Sequence, residues 1–375
     1  MKVIHVVESM DQGAVENWLA RMFRHGKEGR KELDWTFYCE LQSEGRLEPE
    51  IRSLGGKVIH SPVPIGDKVP FIRALRQTLK EGRYDVLHCH HDLVSAVYLS
   101  ASVGLPIGRR IVHVHNADER VRAVSAWKQK CLRLLMRRIC FFLADRVVGI
   151  SQHTLDTFLN GRERRAGRDI VHYYGVDTRP FQLARAERAG FRRSLGLPEA
   201  SLILLFAGRF VPEKNPMFAL DVFAEMRRLN PSVAGVFVGD GSLKAALIER
   251  AEALGLTENC CFPGWRDDVP EIMACCDWFI LPRPEEPLEG LGLAVVEAQL
   301  AGLRLLLSRG IPDDPLLPTA CYVRLSLDAG AGSWARSAME MLERARPDKE
   351  AAIEALEKSP FDMDFAERDL TALLG

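Results

Sequence analysis

Apolar, β-branched runs alternate with stretches of helical periodicity through the first half of the chain. The runs predict strands, and the stretches between them, where apolar residues recur three or four positions apart, predict helices. The predicted strands are 2–7, 34–39, 57–60, 85–90, 110–115, 146–150 and 170–174, and the predicted helices are 14–27, 68–82, 92–103, 122–144 and 152–160. Alternation of this kind builds right-handed βαβ units around a parallel sheet.

The second half of the chain repeats this alternation. Residues 201–208 (SLILLFAG) form a continuous apolar run closed by glycine, which is typical of a parallel strand buried on both faces. Further strands are predicted at 233–241, 259–264 and 276–282, and residues 175–200 predict a hinge. The length of 375 residues exceeds the roughly 250–300 at which single cores stop growing. We therefore predict an α/β protein of two doubly wound domains, with ligands at the carboxyl ends of strands.

The composition is that of a globular protein, with 47% hydrophobic and 27% charged residues and a formal net charge of −1. This balance does not suggest a nucleic-acid partner. The charge is unevenly distributed, since residues 1–178 hold 28 Lys/Arg against 21 Asp/Glu and the remainder hold 22 against 30. A basic first half is compatible with an anionic surface or acceptor as a binding partner. It is equally compatible with an uneven charge distribution that has no function.

The cysteines and the N-terminus indicate a reduced, cytoplasmic environment. Nine cysteines without a C-x-x-C pair suggest neither a zinc site nor a disulfide framework. Glu8 and Asp11 occupy the positions where a secretory signal has its apolar core. No uninterrupted apolar run approaches the roughly 18 residues of a membrane-spanning helix. We expect a cytoplasmic protein that is at most peripheral to the inner face of a membrane.

The segment EGLGLAVVE (289–297) contains two glutamates eight residues apart. Within one helix their carboxylates would be separated by ~12 Å along the axis, so they converge only if Glu289 precedes the helix and Glu297 lies inside it. Gly290 and Gly292 provide a glycine-rich entry, and the helical pattern starts near Leu293. The amides of such an entry form an anion site, beside which carboxylates can accept hydrogen bonds from sugar hydroxyls.

A second candidate site follows the strand at 201–208. In AGRFVPEKN, Arg209 and Lys214 lie at the entry to the next helix, whose start is marked by Pro212 and Pro216. Two cations at such a turn can both approach a diphosphate, the arginine as a bidentate fork and the lysine as a point charge. A solvated basic loop is the alternative interpretation.

With these segments the chain resembles glycosyltransferase family 4, the retaining glycosyltransferases of GT-B fold, over essentially its whole length. That resemblance implies two Rossmann-like domains facing each other across a cleft: an acceptor domain at 1–178, a donor domain at 179–357, and a helix within 358–375 that returns to the first domain. The segments that carry the resemblance are DQGAVE, DVLHCHH, RIVHVHN, GVDTRPF, AGRFVPEKN, VFVGDGSLKAAL, CCFPGWRDDVPEIMACCDWFILP and EGLGLAVVEAQLAG.

The resemblance also implies roles for individual residues. Arg209 and Lys214 would neutralise the donor diphosphate, Glu289 would contact the donor sugar, and Glu297 would hold the ribose hydroxyls. The remaining implied donor-binding residues are Gly13, Trp265, Arg266, Gly290, Leu291 and Gly292. His115, rather than His113, would line the acceptor side of the reaction centre and, with Arg209, Lys214 and Glu289, make up the implied catalytic set.

The implied reaction is transfer of a hexose or N-acetylhexosamine, with retention, from a nucleotide diphosphate sugar to a hydroxyl acceptor that is lipid-linked or part of a surface glycan. UDP is the favoured nucleotide. Stabilisation of the leaving diphosphate by cations and a helix terminus would replace a metal, so neither a cofactor nor a metal is expected. Asp267 and Asp268 are then a loop pair. A nucleotide-sugar epimerase of the same fold and a catalytically silent binding module are the alternatives.

Three residues depart from the family pattern. Ala14 stands where the first loop usually has its second glycine, which could alter how the acceptor loop closes and favours the binding-module alternative. Tyr174 replaces an asparagine before Gly-Val-Asp, and Arg304 stands at a position that is more often proline.

Two further patterns leave alternatives open. Five histidines cluster at two strand ends: His88, His90, His91, His113 and His115. We expect them to line the acceptor cleft or to bond to backbone rather than to bind metal, since Asp92 is the only nearby carboxylate.

The stretch 120–143 is both basic and apolar, with Trp127, Cys131, Leu134, Leu135, Ile139 and Phe142 at helical spacing. A helix lying on an anionic membrane and a core-packed helix with a basic outer face both fit this pattern.

Overall fold

The structure, a computed structural model, describes residues 1–11, 13–29, 32–116, 125–183, 188–197 and 202–375. The chain divides into two compact units. Unit 1 comprises Met1–Gly175 together with Pro360–Gly375, and unit 2 comprises Val176–Ser359.

Unit 1 is built on a seven-stranded sheet in which all paired strands are parallel. Its strand order is β3-β2-β1-β4-β5-β6-β7. The strands are β1 (Lys2–Val7), β2 (Asp34–Cys39), β3 (Lys57–His60), β4 (Val86–Cys89), β5 (Arg109–Val114), β6 (Arg146–Gly149) and β7 (Asp169–Val171). The helices are α1 (Ala14–Glu28), α2 (Glu48–Ser53), α3 (Lys68–Gly82), α4 (Ser95–Ala101), α5 (Ala126–Leu143) and α6 (Gln152–Leu159), followed much later in the chain by α15 (Met363–Leu374).

Unit 2 contains a six-stranded parallel sheet of order β10-β9-β8-β11-β12-β13. The strands are β8 (Leu202–Ala207), β9 (Val233–Val238), β10 (Cys260–Gly264), β11 (Trp278–Leu281), β12 (Arg304–Ser308) and β13 (Tyr322–Leu325). The helices are α7 (Arg179–Leu183), α8 (Arg188–Ser194), α9 (Pro216–Leu229), α10 (Lys244–Ala253), α11 (Val269–Ala274), α12 (Leu293–Leu300), α13 (Gly330–Glu340) and α14 (Lys349–Glu357).

The predicted α/β class with parallel sheets is confirmed. Each strand predicted in the first half is present, with ends displaced by at most a few residues. The sequence patterns did not identify α2, β12 or β13. In β12 the run LRLLLS is as compatible with a helix as with a strand, and β13 is a four-residue edge strand paired only with β12 among the described strands.

The strand order reverses once in each sheet, at β1/β4 in unit 1 and at β8/β11 in unit 2. At such a switch point the connections leave in opposite directions, and a crevice opens beyond the carboxyl ends of the two strands. The loops after β1, β4, β8 and β11 are therefore the positions at which a ligand site is expected.

The two faces of the unit 1 sheet have different compositions. One face is aliphatic, and residues such as Ile4, Leu87 and Val112 pack there with side chains of α3 to α6, including Phe71 and Leu155. The opposite face carries imidazole rings from several strands, and the Trp18 indole of α1 lies against them. An all-parallel sheet normally has two apolar faces, so this polar layer is unusual.

Close packing in unit 2 explains two glycines after β9. A Cβ atom on Gly239 would lie 2.0 Å from the Gly208 carbonyl oxygen, and one on Gly241 would lie 2.5 Å from the Phe210 oxygen. Both glycines have positive φ, 139° and 153°. The loop after β9 thus packs closely against the loop after β8 that carries Arg209, and this packing fixes the backbone of the second candidate site.

Candidate functional site

In unit 2 the loops after β8 and β11 bring cations and a carboxylate into direct contact. Lys214 Nζ lies 2.7 Å from Glu289 Oε2, and Arg283 donates to the same oxygen at 3.0 Å. All three side chains are largely buried, with exposed fractions of 19%, 13% and 10% for Lys214, Glu289 and Arg283. Lys214 and Glu289, which are 75 residues apart, thus lie side by side; their roles at a donor site stay predictions.

Positive charges outnumber negative charges in this cluster. Burial alone would raise the pKa of the Glu289 carboxyl, but the charges of Lys214, Arg283 and Arg209 outweigh it and hold the pKa below its usual value. Arg209 is exposed at the start of the same loop. Three cations against one carboxylate leave a net positive charge at the switch point of unit 2. Such a site favours an anionic ligand.

Backbone geometry fixes this arrangement. Lys214 ends a 3₁₀ turn (Pro212–Lys214), and Asn215 follows in the left-handed region with φ of 53°. The Asn215 side-chain amide donates to the Pro282 carbonyl oxygen at 3.1 Å, which ties the loop after β8 to the end of β11. The Glu289 amide donates to the Gly310 carbonyl oxygen at 2.8 Å. The sequence analysis did not single out Arg283 or Asn215, because the contacts of both depend on the pairing of β8 with β11.

The helix predicted after Glu289 is confirmed. α12 begins at Leu293, so Glu289 precedes it and Glu297 lies inside it, half-buried. Gly292 is the N-cap residue with φ of 87°, a conformation that glycine adopts without strain. Gly290 and Leu291 complete the entry loop, in which the Leu291 side chain is buried.

Trp265 and Arg266 lie elsewhere in unit 2, on the loop after β10. In the sheet β10 is separated from β8 by β9, so this loop is not at the switch point. Trp265 is 43% exposed. Arg266 Nη2 lies 2.5 Å from Asp268 Oδ2, so the Asp268 carboxylate is paired with a residue of its own loop.

Unit 1 has a pocket of about 270 Å³ at its own switch point. It lies beyond the carboxyl ends of β1 and β4 and next to the N-terminal turn of α1. The polar residues that line it are Glu8, Glu16, His90, His91, Asp92 and Asn116, and the apolar ones are Val7, Val15, Leu93 and Val94. Its lining includes three carboxyl groups and neither Lys nor Arg, so it differs in charge from the unit 2 cluster.

Glu16 is the most perturbed acid in this pocket. Burial raises its pKa to about 7, and the charge of Glu8 acts in the same direction, while a hydrogen bond from its own amide opposes the shift. A carboxyl that titrates near neutral pH and lines a pocket is typical of a functional group. Gly13 lies against it, since a Cβ at that position would be 1.8 Å from Glu16 Oε2. Ala14 is the first residue of α1 and is exposed.

Asp92 and His91 shape the opposite wall. Asp92 Oδ1 accepts a hydrogen bond from the His115 amide at 2.7 Å, and Oδ2 accepts one from the Asn116 side chain at 2.9 Å. Burial disfavours the imidazolium of His91, but its hydrogen bond to Glu40 and the neighbouring acidic charges outweigh this effect and raise its pKa. His91 Nδ1 lies 2.8 Å from Glu40 Oε1.

The other predicted histidines bond to one another rather than to backbone. His88 Nε2 lies 3.1 Å from His113 Nδ1, and His90 Nδ1 lies 3.0 Å from His115 Nε2. His115 Nδ1 contacts the Tyr174 hydroxyl, so both ring nitrogens of His115 have partners within unit 1. This contact gives Tyr174, one of the departures from the family pattern, a defined position. The catalytic role of His115 stays a prediction.

Arg304, another departure, is buried in unit 2. Its guanidinium donates to the carbonyl oxygens of Met341 at 2.8 Å and Arg344 at 3.0 Å, and it lies at the start of β12, away from the switch point. Its position therefore indicates a structural role.

The helix α5 covers part of the basic and apolar stretch, of which residues 120–124 lie outside the described residues. It packs against unit 1 through Met136 and Cys140, whereas Trp127 and Phe142 are 73% and 87% exposed. Its outward residues, termed here the α5 outer face, are Trp127, Lys128, Lys130, Leu134, Leu135, Arg138 and Phe142. The outer face is therefore apolar as well as basic. Within the described part of the chain, no helix has the length and apolarity to cross a bilayer.

Two protein-family models match the chain. Residues 24–175 match the glycosyl transferase 4-like domain, and residues 187–312 match the glycosyl transferases group 1. The two matches occupy separate parts of the chain, the first within unit 1 and the second within unit 2.

Individual proteins are also similar. EpsF of Bacillus subtilis (strain 168), whose name describes a glycosyltransferase, is 28% identical over 384 residues that cover 100% of this chain and 95% of EpsF. The Escherichia coli UDP-Gal:alpha-D-GlcNAc-diphosphoundecaprenol alpha-1,3-galactosyltransferase is 29% identical over 252 residues, 63% of this chain and 60% of that protein.

Solved structures share the fold. Anabaena Alr3699/HepE in complex with UDP-glucose has a TM-score of 0.79 at 19% identity, covering 100% of this chain and 99% of that chain. WaaG, a glycosyltransferase involved in lipopolysaccharide biosynthesis, has a TM-score of 0.69 at 16% identity, with 99% of each chain covered.

We expect acid to destabilise unit 1 through its buried histidines. Burial lowers the pKa of His5 and His115 to about 3, and holds those of His88, His90 and His113 well below the usual value. The folded state therefore favours the neutral rings. Their contribution is fully present above the unfolded pKa of about 6.5 and is lost as the pH falls toward 3, by up to about 1.4 kcal/mol per pH unit for each ring.

Hydrogen exchange at pH 7.5 and pH 5, corrected for intrinsic rates, checks this expectation. All ten histidines precede residue 176, so unit 2 is an internal control. Protection should fall in β4 and β5 and change much less in β8 and β11. Equal loss of protection in both units would contradict the assignment to the histidines.

Proposed function

Because this chain belongs to the family 4-type glycosyltransferases of GT-B fold, we propose that it moves a hexose or N-acetylhexosamine from a UDP-sugar to a hydroxyl of a lipid-linked or surface glycan precursor. The family matches and the structural likeness confirm the glycosyltransferase family and the GT-B fold expected from the sequence. The donor, the acceptor and the stereochemistry are proposed.

The donor assignment rests mainly on the cation cluster of unit 2. Arg209, Lys214 and Arg283 outnumber Glu289 by two charges, which complements the charge that a leaving nucleoside diphosphate develops. In the proposed complex Lys214 and Arg209 meet the diphosphate, and Glu289 accepts hydrogen bonds from hydroxyls of the donor sugar. The structures of Alr3699/HepE with UDP and UDP-glucose support UDP as the nucleotide.

The entry loop to α12 would supply further contacts to the donor. Its amides at Gly290, Leu291 and Gly292 precede the helix N-terminus, where partial positive charge favours phosphate oxygens. We assign Glu297 to the ribose hydroxyls. The backbone at Trp265 and Arg266 would contact the base, an assignment that rests on the resemblance.

We assign the acceptor to the unit 1 pocket. His90 lines this pocket, and His115 lies behind it, with its Nε2 3.0 Å from His90 Nδ1. A pocket with three carboxyl groups and no Lys or Arg offers hydrogen-bond acceptors to a neutral sugar and repels a phosphate at the same position. The acceptor hydroxyl attacks the anomeric carbon on the face from which the diphosphate leaves, and its proton passes to that diphosphate. The configuration is then retained. The three cations take the place of a metal in this mechanism.

A membrane-linked acceptor fits the α5 outer face. Trp127, Leu134, Leu135 and Phe142 recur at intervals of seven or eight residues, which places them on one stripe of the helix. The Arg162 guanidinium lies 4.4 Å from the centroid of the Phe141 ring, so a further cation borders this surface. Apolar insertion combined with basic residues is the pattern of a helix that lies on an anionic membrane. The acceptor named for the Escherichia coli relative is itself linked to diphosphoundecaprenol.

Nucleotide binding tests the donor site. We expect UDP to raise the melting temperature of the wild-type chain by several degrees, since a ligand at 100 times its Kd contributes about 2.7 kcal/mol. Arg209→Ala and Lys214→Ala should lose most of the UDP effect while keeping the smaller effect of uridine, because the substitutions remove charge opposite the diphosphate.

Arg250→Ala is the matched control for that experiment. Arg250 is on the exposed helix α10 and pairs with Asp221 at 2.9 Å, so its loss should leave the UDP shift unchanged. Equal shifts in all variants, or no shift with UDP, GDP or ADP, would remove the basis for placing the diphosphate on this cluster.

Vesicle co-sedimentation tests the membrane surface. We expect the wild-type chain to sediment with phosphatidylglycerol-containing vesicles at low salt and less with neutral phosphatidylcholine vesicles, because both apolar and basic residues contribute. The double substitution Leu135→Glu and Phe142→Glu should abolish sedimentation. Leu229→Glu, at an exposed leucine of α9 in unit 2, is the control and should have no effect. Sedimentation that survives the double substitution would assign binding to another surface.

A further inference from the structure

Six histidines form one buried layer in unit 1. They come from β1, β4, β5 and the segments that follow β4, β5 and β7, and together with Trp18 they fill one face of the sheet. The members of this histidine layer are His5, His88, His90, His113, His115 and His172, each with an exposed fraction of 6% or less. A proposed role in glycosyl transfer uses at most His90 and His115, so most of the layer is unexplained.

Several of these rings have a nitrogen without a partner. His5 Nε2, His88 Nδ1 and His113 Nε2 are buried and make no hydrogen bond. A buried unsatisfied polar atom costs about 1–3 kcal/mol relative to a paired one, whereas an aliphatic side chain in the same position would carry no such cost. His172 Nε2 is a fourth such atom, and four of them in one layer indicate a ligand that bonds to imidazole nitrogen.

We propose that the histidine layer binds one divalent transition-metal ion, with zinc as the best match. Two triads have ligand atoms that all lie within 4.8 Å of one another: His5 with His88 and His90, and His90 with His113 and His115. His90 belongs to both. Zinc bonds to imidazole nitrogen at ~2.0–2.1 Å, which places tetrahedral ligand nitrogens about 3.3 Å apart. One nitrogen–nitrogen distance in each triad is close to that spacing: 3.1 Å between His5 Nδ1 and His90 Nε2 in the first, and 3.0 Å between His90 Nδ1 and His115 Nε2 in the second.

The chemistry of the layer selects the ion. Imidazole without thiolate or carboxylate in the triads suits zinc, copper or nickel and disfavours magnesium and calcium, which prefer oxygen.

Two histidines of the layer also contact polar side chains outside the triads, as imidazoles at metal sites usually do. His172 Nδ1 lies 2.6 Å from Asp369 Oδ2 on α15, and His115 Nδ1 contacts the Tyr174 hydroxyl. Hydrogen bonds of this kind orient ligating imidazoles. The unit 1 pocket supplies an entry route, because His90 is part of its lining. The ion would stabilise the core of unit 1, and the proposal does not depend on the donor site in unit 2.

A second cluster in unit 1, Cys39 with Glu48 and His60, has comparable spacing but is a weaker candidate. Glu48 already accepts hydrogen bonds from the Gly45 amide at 2.9 Å and from Arg52 at 3.0 Å. Burial raises the pKa of the Cys39 thiol to about 12, which opposes formation of the thiolate that zinc requires. This cluster therefore serves as the comparison site.

Zinc titration of the chelator-treated full-length chain at pH 7.5 tests the proposal. Calorimetry should show one equivalent of Zn²⁺ per chain, with a rise in melting temperature. His90→Gln removes the residue common to both triads and should weaken binding at least 100-fold. His60→Gln, the matched control, should bind Zn²⁺ as the wild-type chain does.

The absorption spectrum of the chain with bound Co²⁺ is a second test, which needs no variant. Co²⁺ in the histidine layer should show the visible bands of a tetrahedral nitrogen site without the near-ultraviolet sulfur charge-transfer band that Cys39 would produce. Absence of stoichiometric Zn²⁺ binding to the folded wild-type chain would overturn the proposal. Binding that is lost in His60→Gln, or a sulfur charge-transfer band, would overturn it in favour of the comparison site.

Discussion

The single reversal of strand order in each parallel sheet determines where chemistry can occur in this molecule. Strands on either side of the reversal send their connections to opposite faces, so the loops beyond β1/β4 and β8/β11 leave an open crevice. The unit 1 pocket lies at the first reversal, and the Lys214–Glu289–Arg283 cluster lies at the second. Both sites therefore follow from topology, and the side chains placed there decide what each can bind.

Those side chains give the two sites opposite character. In unit 2, three cations surround one buried carboxylate, whose pKa they hold low, and the site favours an anion. In unit 1, the carboxyl groups of Glu8, Glu16 and Asp92 share a pocket, and Glu16 is pushed toward a pKa of about 7. This difference in charge would direct a diphosphate to unit 2 and a neutral, hydroxyl-bearing acceptor to unit 1. Cations set around a leaving diphosphate lower the barrier by electrostatic stabilisation.

The sequence predicted those features of the structure that depend on residues close together in the chain. The apolar strands of the first half and the start of α12 at Leu293 follow from periodicity and glycine placement. No sequence pattern identified Arg283, which joins Lys214 at Glu289 because β11 lies beside β8 in the sheet. Likewise, the histidines were expected to line the acceptor cleft or to bond to backbone, and the sequence did not predict that the neighbouring strands β4 and β5 place imidazole next to imidazole. These contacts depend on strand order, which periodicity does not contain.

The anomeric configuration of the product is the most direct test of the proposed reaction. The chain would be incubated with a UDP-hexose, a lipid-linked sugar acceptor and EDTA, and the new linkage would be examined by proton NMR, with a parallel sample that lacks the acceptor. Retaining, metal-independent transfer predicts a product with the donor's own anomeric configuration in the presence of EDTA, and no change of the sugar in the sample without acceptor. An inverted linkage, transfer that EDTA stops while the melting temperature of the chain stays unchanged, or epimerisation of the donor alone would contradict the proposed mechanism.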